Sequence, residues 1–598
     1  MACSWSPWLL ILSLCLSSSF LPHYHYYCQA YVSFPQAVPR QKQLQWLKQM
    51  TDDFTQQSPG QLTPEQLTMA PHLMHAWSHD PSKTTEKAHA LESLLKRLID
   101  ERPYSTLIDP LLTVDAYNGL LQAWATAGTH PATAERCEQI LQAMHMHETM
   151  QPNIQSYKAV LSAWRNVDCP LAPERAQQIL ETLVDNARSN ENNDDDDGST
   201  TTSAILPDSD CFDIVLQAWS RSGRADAPQH SEALLGTMER LYEATGWAQV
   251  KPRTSSFNAV LATWSRSTHP LAATRACEIL SFMQFLEQGD SSVAPDTASY
   301  CTVMNALCRM SSSSATSLGN NNLKHPAASL VDPVVAYQVE GLLRHVEARF
   351  HETASPKLIP DSVLFNTAMG SWAKTYNMSG AFRKAWAILE RQMYLYEHMF
   401  DRPDVGNIKH FSPFFKRKIQ ACCRPDVVGF TSVIASCAAE SGTPDEQTQA
   451  FYVALFTLYH MEQRYGIPPN HITYGNMLKC TAHLLAGKAH AKKRTKYALQ
   501  FFAKARDAGC VGDMVLKRAR ESLGKALFEQ ACLQGHSPHD LPASWTRELP
   551  PALLAKNEQR RQWNKGNKNK QRNIKTSEGH HQHHPKRRSY TAKRRGSV

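Results

Sequence analysis

No two of the fifteen cysteines in this 598-residue chain stand three apart, so CxxC occurs nowhere. That removes most structural zinc sites and the zinc-deaminase signature, and the HxE at His345 to Glu347 stands without the partner it needs. The cysteines are odd in number, without paired spacing, and several fall inside apolar helical patterns, as Cys137, Cys277, Cys301 and Cys308 do. Reduced thiols rather than a disulfide framework are expected. The chain also lacks a phosphate-binding glycine loop, HExxH and GxSxG, and the acidic pair Asp52-Asp53 sits at the edge of a leader or in a turn. The sequence therefore predicts no enzyme, no cofactor, no metal and no small-molecule substrate. The histidines His580, His581, His583 and His584 read as low-complexity composition.

Basic charge is scarce where the fold should lie. The whole chain carries 63 Lys and Arg against 55 Asp and Glu, a formal +8. Residues 555–598 hold 14 of those bases and 2 acids, a net +12, which leaves residues 1–554 at −4. The body is not basic, and net charge by itself does not identify a nucleic-acid binder.

Long apolar runs are missing too. The first one, Trp8 to Leu16, is nine residues long, short of the roughly 20 that span a bilayer. Bounded by Ser17 to Ser19, it reads as the core of a signal peptide, with small-residue cleavage points after Ser19 or Ala30. From Phe20 to Thr51 there is no acidic residue, and Arg40, Lys42 and Lys48 stand among Ser, Gln and aromatic residues, the composition of a transit peptide. Residues 1–50 are thus expected to be a presequence, with no transmembrane segment in the mature chain. The junction Ser17 to Pro22 resembles that of bipartite plastid presequences in algae with complex plastids, which implies a plastid address. The mitochondrion and the secretory pathway are the alternatives.

What the chain has in abundance is a repeat. Tyr117 to Trp124 and Tyr157 to Trp164 are near copies, and Phe212 to Trp219, Phe257 to Trp264 and Phe365 to Trp372 follow the same pattern. An aromatic residue is followed by apolar residues at +3 and +4 and Trp at +7, one face of a helix. Weaker copies begin at Tyr300, Phe430 and Tyr474, and Ala70 to Trp77 is a degenerate first one. A second helix follows each, with stripes such as Ala134, Cys137, Ile140, Leu141 and Met144, or Ala276, Ile279, Leu280 and Met283. Each unit closes on Pro and a polar residue, as in Pro152-Asn153, Pro207-Asp208, Pro252-Arg253, Pro295-Asp296, Pro360-Asp361, Pro425-Asp426 and Pro469-Asn470. Proline stops the second helix, and Asp or Asn serves the free amides of the next. One such hairpin cannot bury its apolar faces alone, whereas stacked copies can. The fold class is all-α, an α-solenoid over residues 62–530, with inserts near 188–206, 310–330 and 404–422 and a disordered basic tail at 555–598. The repeated Trp and Tyr residues read as core.

The helix-start aromatic followed by a variable polar residue, the alanine-bearing second helix and the Pro-Asp or Pro-Asn closure together resemble the pentatricopeptide repeat (PPR) family. Successive aromatics lie 40, 55, 45, 43, 65, 65 and 44 residues apart, against a unit of about 35 in that family. The resemblance implies single-stranded RNA as ligand. In that family the residue after the aromatic and the closing residue together read one base. Carried onto this chain, Asn118 with Asn153 corresponds to pyrimidine, Asn258 with Asp296 and Asn366 with Asp426 to uracil, and Thr431 with Asn470 to adenine. Secondary candidates are Lys158 with Asp208, Asp213 with Arg253, and Cys301 with Asp361, which fall outside the usual combinations. Lys586, Arg587 and Arg588 in the tail are candidates for phosphate contact.

The resemblance implies organellar RNA processing, stabilisation or translation, with pyrimidine-rich RNA and organellar RNA-processing or ribosomal proteins as partners. A helical scaffold that binds protein is the alternative.

Overall fold

The computed structural model describes residues 40–555 and 558, apart from 81–83, 106–107, 109–110, 148–149, 192–204, 318–330, 376–377, 399–411 and 539–540. The expected presequence through residue 39, the Asp194 to Asp197 tract and Lys586, Arg587 and Arg588 lie outside the described residues. The chain divides into two compact units, Met1–Ala306 and Leu307–Val598.

Unit 1 begins with α1 (Arg40–Thr55), α2 (Pro64–His79) and α3 (Thr85–Glu101), followed by the hairpins α4 (Val114–Ala127) with α5 (Pro131–His145), and α6 (Ile154–Asn166) with α7 (Ala172–Glu191). Next come α8 (Ser209–Ser222) with α9 (Ala227–Thr245), and α10 (Thr254–Arg266) with α11 (Ala272–Leu286). The unit boundary falls within α12 (Thr297–Ser317). From α4 to α8 each first helix packs on its own second helix and on the next first helix, as α4 does on α5 and α6. Caps explain the starts: Asn153 accepts from the Gln155 and Ser156 amides at 3.0 and 3.1 Å, and Asp208 accepts from Cys211 N at 3.1 Å. Such a cap contributes about 1 kcal/mol.

Unit 2 contains α13 (Pro333–Thr353), then α14 (Ser362–Ala373) with α15 (Ala381–His398), α16 (Pro413–Cys423), and α17 (Val427–Cys437) with α18 (Pro444–Tyr459). The series ends with α19 (His471–Leu484), α20 (Ala491–Asp507) and α21 (Asp513–Leu523). First helices again pack in sequence, α14 on α17, α17 on α19 and α19 on α21. The described residues form helices and connections, with one isolated parallel bridge between Val331 and Thr375. The all-α repeat architecture expected from the sequence is present in each unit.

The helix-start aromatics are core. Phe212, Phe257, Phe365 and Phe430 are at most 1% exposed, each side chain stabilising its unit by roughly 1.5–3 kcal/mol relative to exposure. The tryptophans add a feature the sequence pattern does not announce. Trp77, Trp124, Trp164, Trp219 and Trp264 each donate their indole N–H to the preceding second helix, at Thr51, Glu92, Glu138, Gln177 and Glu232, over 2.6 to 3.1 Å. Arg136, Arg175 and Arg275, from the second helix of the same hairpin as the tryptophan, grip Glu92, Glu138 and Glu232 respectively. This ladder ties each hairpin of unit 1 to the one before.

Five boundaries differ from expectation. Helix α1 lies largely within the expected presequence, yet Leu47 is fully buried and Met50 and Phe54 nearly so, with Thr51 holding Trp77. It packs on α2 and α3 in the place that a second helix takes in the later hairpins. Helices α7 and α12 run on into the first two expected inserts. The basic insert at 404–422 contains most of α16, anchored by fully buried Ile419 and Cys423 and by Gln392 Nε2 donating to Cys423 O at 3.2 Å. The last hairpin is closed beyond residue 530, where Trp545 and Leu549 are buried and Trp545 O accepts from Val511 N at 2.8 Å.

Candidate functional site

Because each closing Asp or Asn caps the next first helix, it sits beside the residue that follows the preceding helix-start aromatic. The expected pairs accordingly meet. Asn118 Nδ2 donates to Asn153 Oδ1 at 3.2 Å, Asn258 Nδ2 to Asp296 Oδ1 at 3.1 Å, and Asn366 Nδ2 to both carboxylate oxygens of Asp426 at 3.0 Å. All six residues are half-buried, leaving part of each edge accessible.

A third member completes the constellation in most repeats. Three residues after each closing position, Ser156 Oγ donates to Asn118 Oδ1 and Ser299 Oγ to Asn258 Oδ1, both at 2.6 Å. Ser256 Oγ likewise donates to Asp213 Oδ1 at 2.6 Å, and the Thr431 and Thr473 hydroxyls share a 2.8 Å bond. Thr431 is thereby buried and bonded to Thr473, while Asn470 caps α19 through the Ile472 and Thr473 amides. Thr431 and Asn470 are thus linked through Thr473, whose hydroxyl also donates to Asn470 Oδ1 at 3.0 Å. The signal for the third member was present as Asn153-x-x-Ser156 and Asp296-x-x-Ser299, the spacing of a capping box.

At α17 the position holds Gly429. A Cβ there would stand 2.8 Å from Asn366 Oδ1 and 2.9 Å from Met369 Cε. No hydroxyl is supplied, and Asn366 Oδ1 is buried without a hydrogen-bond partner.

The secondary candidates form a charged network in unit 1. Lys158 Nζ reaches Asp208 at 2.5 Å and Asp210 at 2.8 Å. Burial lowers the lysine's affinity for its proton, but the hydrogen bonds to the two carboxylates outweigh it and hold the ammonium above its ordinary range. Hydrogen bonds from Lys158 and Arg253 hold the Asp210 carboxyl below its ordinary range. Arg253 Nη2 contacts Asp210 at 2.5 Å and Asp213 at 3.3 Å, and Ser255 Oγ donates to Asp213 Oδ2 at 2.6 Å. Cys301 in unit 1 is half-buried, and Asn305 Nδ2 lies 3.6 Å from its sulfur. Asp361 in unit 2 caps α14 through Leu364 N at 2.8 Å, and burial pushes its carboxyl upward.

These side chains offer amide, hydroxyl and carboxylate groups at repeat intervals. No group of three metal-ligating side chains is assembled among the described residues, and no described helix is long and apolar enough to cross a membrane.

No family model and no curated protein sequence matches the chain. Among solved structures, it is similar to the pentatricopeptide repeat protein PPR10 from maize, at 15% identity and a TM-score of 0.25, over 90% of this chain and 79% of that one. It is also similar to PPR10 in complex with an 18-nt psaJ RNA element, at 13% identity and a TM-score of 0.22, over 92% and 81% of the two chains. The repeat architecture stands on the chain's own helical hairpins, buried aromatics and cap-linked pairs.

Proposed function

We propose that the chain binds single-stranded RNA along the row formed by the starts of its first helices, without chemistry of its own. The observation that carries this reading is the recurrence, at repeat intervals, of a half-exposed polar side chain bonded to the cap of the next helix: Asn118 with Asn153, Asn258 with Asp296 and Asn366 with Asp426. Single-stranded bases expose polar edges of the kind that amide and carboxylate groups match. Bound in this way, the protein would shield a transcript from exonucleases or hold a hairpin open, which suits roles in RNA processing, stability or translation. Pyrimidine-rich RNA is the proposed ligand, organellar RNA-processing or ribosomal proteins are the proposed partners, and the plastid is the proposed site of action.

The test is crosslinking of a randomised RNA pool to the purified chain, followed by sequencing, with an Asn258→Ala and Asn366→Ala double variant alongside. These asparagines are preferable to the caps Asp296 and Asp426, whose loss would also weaken helix starts. Enrichment by the parent that the variant alters is the expected result, whereas no enrichment, or the same sequence from both, rejects base reading at these positions. For the address, a fusion of residues 1–60 to a fluorescent protein should enter the plastid, and secretion would reject that destination.

One observation favours protein binding on another face. Tyr452, Phe456 and Tyr459 are 57%, 51% and 60% exposed along α18, an aromatic stripe of the type found at protein interfaces. Unchanged RNA binding with loss of a copurifying protein in a Tyr452→Ser and Phe456→Ser variant would establish that reading.

A further inference from the structure

We infer that the face formed by α18 and α20 in unit 2 docks an acidic amphipathic segment of a protein partner, its apolar side on the aromatic stripe of α18 and its carboxylates on the lysines of α20. The inference rests on the protein-binding reading of α18 given above and names the chemistry of the partner.

Helix α18 is apolar on two sides. From Gln447 to Met461 the chain holds no Asp, Glu, Lys or Arg. Ala450, Phe451, Ala454 and Leu458 are buried in the core, and Tyr452, Phe456 and Tyr459 form a second stripe at i, i+4 and i+7, each more than half exposed. A helix that is hydrophobic all round is ordinarily covered on every side. Helix α7 carries the usual alternative, for it exposes Arg175, Gln178, Glu181 and Asp185. Anchors at i, i+4 and i+7 match the ridge spacing by which one helix receives another. At its end α18 passes into a π-helical turn, His460–Arg464, a geometry frequent at functional sites.

Neighbouring side chains set the borders of the stripe. The Trp386 ring of α15 lies 5.5 Å from that of Phe456, and the Tyr497 ring of α20 lies 5.2 Å from that of Phe451. Lys493 stands one turn before Tyr497 on the same face of α20, with Lys492 and Lys496 beside these two, and all three lysines are exposed. The surrounding chain does not offset their charge, since residues 463–506 hold nine Lys and Arg and no acidic residue. The carboxylates at the two ends of the stripe are already engaged. Glu462 is held by Lys504 at 2.6 Å, and Glu446 by the amide and hydroxyl of Thr443 at 2.9 and 3.1 Å. An uncharged aromatic centre with cations along one edge complements a helix that has apolar residues on one face and Glu or Asp beside them. RNA fits less well. A strand following the rings needs cations along its own path, whereas here the cations lie to one side and each end of the stripe meets a carboxylate.

The full chain, immobilised and offered a displayed library of random peptides about 16 residues long, enough for some four helical turns, should enrich sequences with Leu, Phe or Trp at helical spacing among Glu and Asp. A Tyr452→Ser and Phe456→Ser variant should bind the best peptide at least about tenfold more weakly, as loss of aromatic anchors does. Lys492→Glu, Lys493→Glu and Lys496→Glu together should weaken it at least about fivefold. The same variant should turn the selection toward basic peptides, a gain that misfolded protein could not produce. Peptides that depend on the rings but carry no acidic bias, or that the lysine variant binds unchanged, would overturn the acidic partner and leave a protein dock standing. If no selected peptide depends on the rings, the protein-binding reading of this face falls with it. Oligouridine captured by the parent through these rings, and lost from the serine variant, would overturn the proposal in favour of a nucleic-acid surface. Self-association lost from that variant on sedimentation would make the occupant a second copy of the chain.

Discussion

At the scale of single residues, Gly429 is one of the places, with Cys211 and Leu364, where the repeat lacks the hydroxyl three residues after its closing position. Ser156, Ser256 and Ser299 occupy this place elsewhere and bond the polar residue of the preceding first helix. Gly429 leaves Asn366 Oδ1 buried and unpaired, a deficit of about 1–3 kcal/mol. Gly429→Ala would add the crowding against Asn366 and Met369 without a hydroxyl and should lower the thermal midpoint. Gly429→Ser adds the same Cβ but also the missing donor, so it should be more stable than Gly429→Ala by about 0.5–1.5 kcal/mol in denaturant melts. Equal stability of the two would show that Asn366 cannot turn its carbonyl to the hydroxyl. The thiols give a second prediction. Burial pushes Cys137, Cys211 and Cys480 up to about 12, so at pH 8 they remain protonated and unreactive. Iodoacetamide should label half-buried Cys169 and Cys422 well before these three in the native protein, and equal rates by mass spectrometry would contradict the burial. The pairs at Asn118, Asn258 and Asn366 were legible in the sequence because Pro-Asp and Pro-Asn closures mark helix starts. Their serine partners were not, because a short hydroxyl three residues after a cap is ordinary in any helix, and only the meeting of two hairpins gives it a second role.

At the scale of helices, the ladder of tryptophan, glutamate and arginine decides what the repeated Trp does. Glu232 accepts from Trp264 Nε1 at 2.7 Å and from two nitrogens of Arg275 at 3.0 Å. The arginine is 48% exposed, where an ion pair is worth roughly 0–1 kcal/mol. Trp264 is 4% exposed, and an indole N–H left without an acceptor there costs about 1–3 kcal/mol. Glu232→Ala should therefore destabilise the protein clearly more than Arg275→Ala, and Glu232→Gln should retain most of the stability. The Trp219 rung already uses a neutral acceptor, Gln177, at 2.9 Å, and there Arg224 reaches Glu174 instead. Comparable losses from Glu232→Ala and Arg275→Ala would assign the stabilisation to the ion pair. The first and second helices were readable from periodicity, whereas α1 was obscured by a composition shared with transit peptides. Its stripe of Leu47, Met50 and Phe54 has helical spacing, but only contact with α2 and α3 distinguishes it from a leader. Helix α16 was hidden for a similar reason, since its core contacts at Ile419 and Cys423 follow the basic run Lys416 to Lys418.

At the scale of the whole molecule, charge and contact chemistry are separated along the chain. Residues 1–554 sum to −4 and residues 555–598 to +12, so a strand laid along the first helices would meet polar and apolar groups there and its phosphates would find their main counter-charge in the tail. Counterion release makes binding to single strands fall with salt in proportion to the phosphates neutralised, with a slope near −0.7 per phosphate. Stacking and hydrogen bonding to base edges lack this dependence. Deleting residues 555–598 should therefore flatten the plot of log affinity against log salt, while the preferred sequence recovered by crosslinking stays the same. The difference should be large at low salt and should shrink toward high salt, where both forms depend on the helical units alone. A slope unchanged by the deletion would place the phosphate contacts on the helical units, in which case the lysines exposed on α20, Lys492, Lys493 and Lys496, become the positions to neutralise next. A preference that changes with the deletion would show that the tail selects sequence as well as supplying charge.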